Sequence, residues 1–261
     1  MTRFAHTLTR IHTGALLCIS SLLASQTLAQ AQAPAAPSAS KPVPLLDASA
    51  HINPQWSRVA LPADKGIPAP TIDVALATPG DSTPAVRIAS NSSYGHLLQK
   101  GPWTAANLSW QWRLDQGLQQ ADLQRKEGDD AALKVCVSFD HDDANVPWGE
   151  RLLLGIARNH SDFELPGATI CYIWDNRYPI GTTGANPYSK RVRYMVLQSG
   201  DSAGKAWASQ SRNLSADFLL LFGDETQTVP PVSAIAVGAD TDNTAASALG
   251  WVRSLQWHSA P

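Results

Sequence analysis

The sequence predicts an all-β domain: an antiparallel two-sheet β-sandwich of jelly-roll type, with one short helix near residues 214–223. Three observations predict it. Short runs of alternating apolar and polar residues recur along the chain, separated by Gly, Pro, Asn and Asp. Strands do not alternate with helices, which argues against a parallel, doubly wound sheet. Only one segment carries clear helix start and stop signals.

Taken in order, residues 1–29 read as a secretory signal peptide. Arg3 and Arg10 form a positive start, Gly14–Ala24 is an apolar run too short to span a bilayer, and Thr27-Leu28-Ala29 offers a cleavage point. Residues 30–44, rich in Ala, Pro, Gln and Ser, cannot bury a core and read as a flexible leader. The folded domain is expected over residues 45–258. Its candidate strands are Thr71–Leu76, Ala85–Ala89, Tyr94–Gln99, Leu108–Leu114, Leu133–Phe139, Thr169–Trp174, Arg191–Gln198, Ser233–Ala239 and Gly250–Trp257. Alternation assigns Leu133, Val135, Val137 and Phe139 to one face, and Val192, Tyr194 and Val196 to a face opposite Arg193, Met195 and Leu197. The helix is read from Ser215 as N-cap candidate, Asp217 in the favourable first turn and Gly223 at the C-cap. A short helical turn is expected within Gln119–Lys126.

The chain has 261 residues, 44% hydrophobic and 16% charged, with nine tryptophans and a formal net charge of −2. Loss of residues 1–29 removes two arginines and no acid, leaving 18 basic against 22 acidic residues and a net charge of −4. An exported, mildly acidic chain has no basic face for nucleic acid and no attraction to anionic lipid. No further apolar run is long enough to span a membrane. Export also places Cys136 and Cys171 where disulfides persist, and two readings stay open: a bridge between neighbouring strands, or two small buried hydrophobes. The absence of CxxC argues against a redox site.

Familiar catalytic signatures are missing: GxSxG, HExxH, the P-loop and GxGxxG. No cofactor is expected. The acidic loops carry more information. On an extended segment Asp240 and Asp242 point the same way, about 7 Å apart, with Asn243 beside them. Such oxygens suit Ca²⁺, but the string does not continue as an EF-hand, and a turn network in which Asp and Asn cap their own backbone is preferred; no metal is assigned. Asp140–Asn145 reads as a solvated loop. One of Asp129 and Asp130 is expected to lock Arg113 or Arg212. His51, His96, His141, His160 and His258 read as loop or surface residues.

Most tryptophans belong in the core, with Trp110 and Trp112 sharing one strand face and Trp251 and Trp257 another. Trp148, in the polar string NVPWGE, and Trp174, before the polar loop 175–190, are read instead as exposed. Tyr178 and Tyr188 lie in that loop. Aromatic faces beside carboxylates and amides suit a sugar ring, whose C–H face stacks while its hydroxyls bond.

The chain resembles a family of exported bacterial proteins catalogued only as a domain of unknown function, number three thousand and forty-seven. The matching residues are Leu108-Ser109-Trp110-Gln111-Trp112-Arg113; Gly128-Asp129-Asp130-Ala131-Ala132, where Lys134 replaces an Arg; Tyr172-Ile173-Trp174; Val196–Gly200; Trp207, Ser211-Arg212-Asn213, Asp217-Phe218 and Phe222-Gly223; and Asp240-Thr241-Asp242-Asn243-Thr244. The resemblance spans about residues 50–258 and implies a single domain without implying an activity. The architecture also resembles carbohydrate-binding jelly rolls, a likeness of fold alone. The leading functional reading is a periplasmic or secreted, non-catalytic binding domain for a saccharide or envelope glycan, with Trp148, Trp174, Tyr178, Tyr188, Arg212, Asp240, Asp242 and Asn243 as ligand-binding candidates. The alternatives are a polysaccharide lyase or glycosidase drawing on Asp240, Asp242, Arg212 and Tyr172, or an envelope protein-interaction module.

Overall fold

The structure, a computed structural model, describes residues 41–159, 165–200 and 205–258. The expected signal peptide, most of the expected leader and His160 lie outside them. The alternating runs form two sheets. The larger one is built from β1 (Ser57–Ala60), β4 (Tyr94–Trp103), β6 (Ala131–Phe139), β7 (Ala168–Asp175), β8 (Thr183–Ala185), β9 (Val192–Ser199) and β11 (Val232–Asp240), in the order β1-β4-β11-β6-β7-β9-β8. The smaller comprises β2 (Thr71–Ala75), β3 (Ala85–Asn91), β5 (Asn107–Gln116), β10 (Ala208–Asn213) and β12 (Ser247–His258), in the order β10-β5-β12-β3-β2. Their inner faces enclose one core. Leu133, Val135, Val137 and Phe139 meet Trp110, Trp112, Val252 and Ile88 within it. At Gly250 a Cβ would come 2.9 Å from Leu133 Cδ1, so glycine sets how closely the two sheets approach there.

Each of the nine expected strands is present, and the fold is the expected β-sandwich. Four expectations about its details change. The β7–β9 pair is parallel, because β8 takes the sheet edge and β9 slots between it and β7. A second helix, α1 (Trp148–Asn159), stands where a polar loop was expected. The Gln119–Lys126 segment contains turns, and a short 3₁₀ turn follows at Lys126–Gly128. A register shift between Arg253 and Gln256, with Ser254 at φ 52°, reverses the parity of β12. Leu255 and Trp257 therefore face the core, while Trp251 sits on the other face and donates its Nε1–H to Asp115 at 3.0 Å.

The second helix in sequence, α2 (Leu214–Phe222), matches the expected one. Its cap is Asn213 rather than Ser215: the Asn213 side chain accepts from the Ala216 N–H at 3.0 Å. Asp217 does more than complement the helix dipole. It is buried and accepts from Tyr172 Oη at 2.7 Å and from Arg212 Nε at 2.8 Å. His141 is buried rather than superficial, with Nε2 3.0 Å from Glu225 Oε2. Cys136 and Cys171, opposed in register on β6 and β7, form a disulfide.

Candidate functional site

The outer face of the larger sheet carries a second, smaller apolar cluster of Leu123, Ala131, Cys136, Cys171, Ile173, Tyr194 and Val196. Alternation produces it, because these strands bury both of their faces. Next to it, where β4, β11 and β6 run side by side, the outward residues become polar. Register places Tyr94 opposite Asp240, and both His96 and Lys134 opposite Gly238. Gly238 is required here: a Cβ would lie 2.4 Å from His96 Cβ and 2.3 Å from the Gly95 carbonyl oxygen.

Lys134 is the centre of the constellation. Its Nζ donates to Asp240 Oδ2 at 2.9 Å and stands 4.9 Å from the centre of the Tyr94 ring. Burial opposes this ammonium, but Asp240, Tyr94 and Asp129 outweigh it and raise the Lys134 pKa. The Asp240 carboxyl is pushed up to about 6 by burial and by neighbouring Asp242, against the pull of Lys134. Its Oδ1 is buried and lacks a hydrogen-bond partner among the described residues. His96 is lowered to about 4 by burial and by the Lys134 charge, so it is neutral at physiological pH.

The loops supply the remaining groups. Asp130 is buried and its carboxylate accepts from the backbone N–H of Asn243 at 3.1 Å, from that of Thr244 at 2.8 Å, and from the Thr244 hydroxyl. Asp129 accepts from Asn186 Nδ2 at 2.5 Å through its side chain, and from Asn243 Nδ2 at 3.0 Å through its carbonyl. Tyr188 closes the rim. It is 59% exposed, and its Oη donates to the Lys126 carbonyl at 3.1 Å and lies 3.5 Å from Asn243 Oδ1. Below the rim is a cavity of about 50 Å³ lined by Asp129, Asp130, Lys134, Asn186, Tyr194 and Asp240. That volume holds a few waters and is far below the several hundred Å³ of a pocket that encloses a ligand.

Of the eight ligand-binding candidates, Tyr188, Asp240, Asp242 and Asn243 converge here. The other four do not. Trp174 is buried and donates to the Gly200 carbonyl at 2.8 Å, because it shares the inward parity of Ile170 and Tyr172. Tyr178 packs against the outer apolar cluster and donates to Asp122 at 2.5 Å. Arg212 is committed to Asp217, and Trp148 lies on α1. Nor does Arg113 or Arg212 pair with the Asp129-Asp130 string: Arg113 pairs with Asp115 at 2.6 Å. Sequence reasoning missed Tyr94, His96, Lys134 and Asn186 as site residues. Lys134 had a signal, since it occupies the cationic position of the Asp129-Asp130 motif.

One oxygen from each of Asp130, Asp240 and Asp242 lies within 4.8 Å of the others, a set a hard cation could use. Lys134 already supplies a cation there, and both Asp130 oxygens hold donors. The arrangement is better described as an acid cluster organised by a buried lysine and the 240–244 turn. The groups nearest solvent are Asp242, Asn243 and Tyr188, with Lys126 Nζ 5.2 Å from the centre of the Tyr188 ring.

No curated protein matches the chain. Among solved structures it is similar to the catalytic domain of Humicola grisea Cel12A in complex with a soaked thio-cellotetraose, at 12% identity, over 82% of this chain and 97% of that one, with a TM-score of 0.37. The family match covers residues 69–256, from before β2 almost to the end of β12, and so includes every segment that builds the Lys134 cluster: the chain belongs to the family described as "Protein of unknown function (DUF3047)".

Proposed function

We propose that the protein is an exported, non-catalytic binding domain of the periplasm or extracellular space, and that it takes a saccharide or envelope glycan on the rim formed by Tyr188, Asp242 and Asn243. The observation that carries this reading is the exposed Tyr188 ring standing beside an amide and a carboxylate, above a polar floor. One aromatic face and a few oriented acceptors suit a pyranose ring. The shallow rim favours a surface complex over an enclosed one. A glycan array probed with the folded chain, followed by titration calorimetry on the best binder, tests it. Tyr188→Ala and Asp242→Asn should each weaken binding by about tenfold, the loss of roughly 1.4 kcal/mol of stacking or hydrogen bonding. Unchanged affinity in both variants would move the site elsewhere.

A second reading, a polysaccharide lyase or glycosidase, has one observation in its favour: an Asp240 carboxyl near 6 is suited to general acid–base work. Against it, Asp240 is held in an ion pair with Lys134 at 2.9 Å, and Asp130 is saturated by the turn. Release of reducing or unsaturated ends from a bound polysaccharide, abolished by Asp240→Asn, would establish the enzyme.

A further inference from the structure

Helix α1 is amphipathic in the wrong direction for a soluble domain. At about 100° per residue, Trp148, Leu152, Ile156 and Leu153 fall on one arc of about 140°. These four are 75, 55, 50 and 66% exposed. The opposite side holds the helix to the body. It carries Leu154, the one buried residue of α1; Glu150, which accepts from Arg191; and Arg158, which donates to Asp143 at 2.6 Å and to the Leu165 carbonyl at 2.9 Å. Arg191 is itself buried and bound to Glu225 at 2.7 Å. The polar face is thus anchored inward, and the apolar face is presented. Gly149, on the same arc, faces open space among the described residues.

We propose that this arc inserts into the surface of a lipid bilayer, with α1 lying in the plane of the interface. Three features select a lipid surface. The arc exposes roughly 500 Å² of apolar area, so pairing with a second copy would bury about 1,000 Å² in total, at the floor for a specific interface. Its width exceeds the narrow seam that two helices share, and its Trp and aliphatic face opposite a charged one is the pattern of a helix lying in a membrane interface. The neighbours of Trp148 on the arc are aliphatic and lack the hydrogen-bonding groups a sugar would need. At 12 residues α1 is too short to span, so it lies on the surface. The acidic balance of the chain gives no electrostatic pull toward anionic lipid, so insertion should be insensitive to salt.

The test is flotation with phosphatidylcholine vesicles of the chain from Ala39 onward, a compact unit that holds every core residue and lacks the apolar run of residues 14–24. The wild-type chain should float with the vesicles at low and high salt. Leu152→Glu/Ile156→Glu should lower the partition coefficient at least ~tenfold, because each side chain gives up a favourable transfer and a charge resists it. Both side chains are exposed, so the melting temperature should hold; Trp148→Ala, a milder change, should give an intermediate loss. A wild-type chain that stays in the aqueous fraction would overturn the proposal. So would variants that float equally well, or a wild-type dimer by light scattering that the double variant converts to monomer.

Discussion

Replacement of Lys134 by Met should expose how the acid cluster is held together. In the wild type the Asp240 carboxyl is raised from 3.8 to about 6, which disfavours the charged form in the folded state by roughly 3 kcal/mol. A carboxyl raised in this way binds a proton on folding between about pH 4 and 6. Its contribution is favourable in acid and is lost as pH rises through about 6. Lys134 acts against that trend, and its side chain is only 14% exposed. Lys134→Met removes the cation while filling its volume, and leaves Asp240, Asp242 and Asp129 without a partner of opposite charge. At pH 7.5 the loss should be about 3–5 kcal/mol, as when one member of a buried pair is removed. At pH 5, where Asp240 carries its proton, most of that loss should vanish, leaving about 1–2 kcal/mol. Urea denaturation of wild type and variant at the two pH values measures both figures. A loss below about 1 kcal/mol at pH 7.5, or the same loss at both pH values, would refute this account of the cluster.

His96, lowered to about 4, should titrate there by NMR and move upward in Lys134→Met, where a repelling charge is gone; its neutral form contributes stability above its unfolded pKa near 6.5 that is lost as pH falls through about 4. Gly238→Ala should destabilise by at least about 2 kcal/mol and shift the His96 resonances, because the added methyl meets Gly95 and His96 backbone atoms inside contact distance, as urea melts and NMR will show. Replacing Cys136 and Cys171 together by Ala should cost about 4 kcal/mol in the same melts, the entropy of a closure across 35 residues, and non-reducing peptide mapping should find the pair joined in the wild type.

The fold was legible wherever one face of a strand is buried. Leu133–Phe139 and Arg191–Gln198 declare their faces by alternation, and the structure agrees. β10 did not declare itself because Ala208–Asn213 is polar on both faces, a strand recruited only by pairing with β5. β1 and β8 are too short to show a period. The parallel β7–β9 pair is a non-local choice on which local alternation is silent. α1 carries a helical pattern, but its apolar face has no core to match, and Pro147 and the acidic run before it resemble a loop. The site was legible as segments and not as a place. The strings 128–132 and 240–244 were singled out separately; that the Asp130 carboxylate caps the Asn243-Thr244 turn depends on pairing between β6 and β11. Trp174 was recoverable, since it has the parity of buried Tyr172.

On the proposed glycan-binding reading, the charge of the cluster should select among glycans. Asp129, Asp130, Asp240 and Asp242 gather around the cation of Lys134, Lys126 Nζ stands 5.2 Å from the centre of the Tyr188 ring, and His96 is neutral above about pH 4. A ligand on the Tyr188 rim meets Asp242, the half-buried acid beside Asn243. An anionic sugar placed about 4 Å from one such acid is repelled by roughly 1 kcal/mol if the contact is fully wet and roughly 4 kcal/mol at the lower effective dielectric of a protein surface. Neutral hydroxyls instead donate to the same oxygens, and an amino sugar gains the attraction. Neutral and amino glycans should therefore bind at least tenfold more tightly than uronates or phosphorylated glycans of equal length. Salt should narrow the gap by screening, and Asp242→Asn should narrow it further while weakening the amino sugar most. Calorimetry across such a series at low salt reads the order directly. A polyuronate that binds best would mean that the Lys126 or Lys134 charge outweighs the four acids at the ligand, and would overturn this ordering.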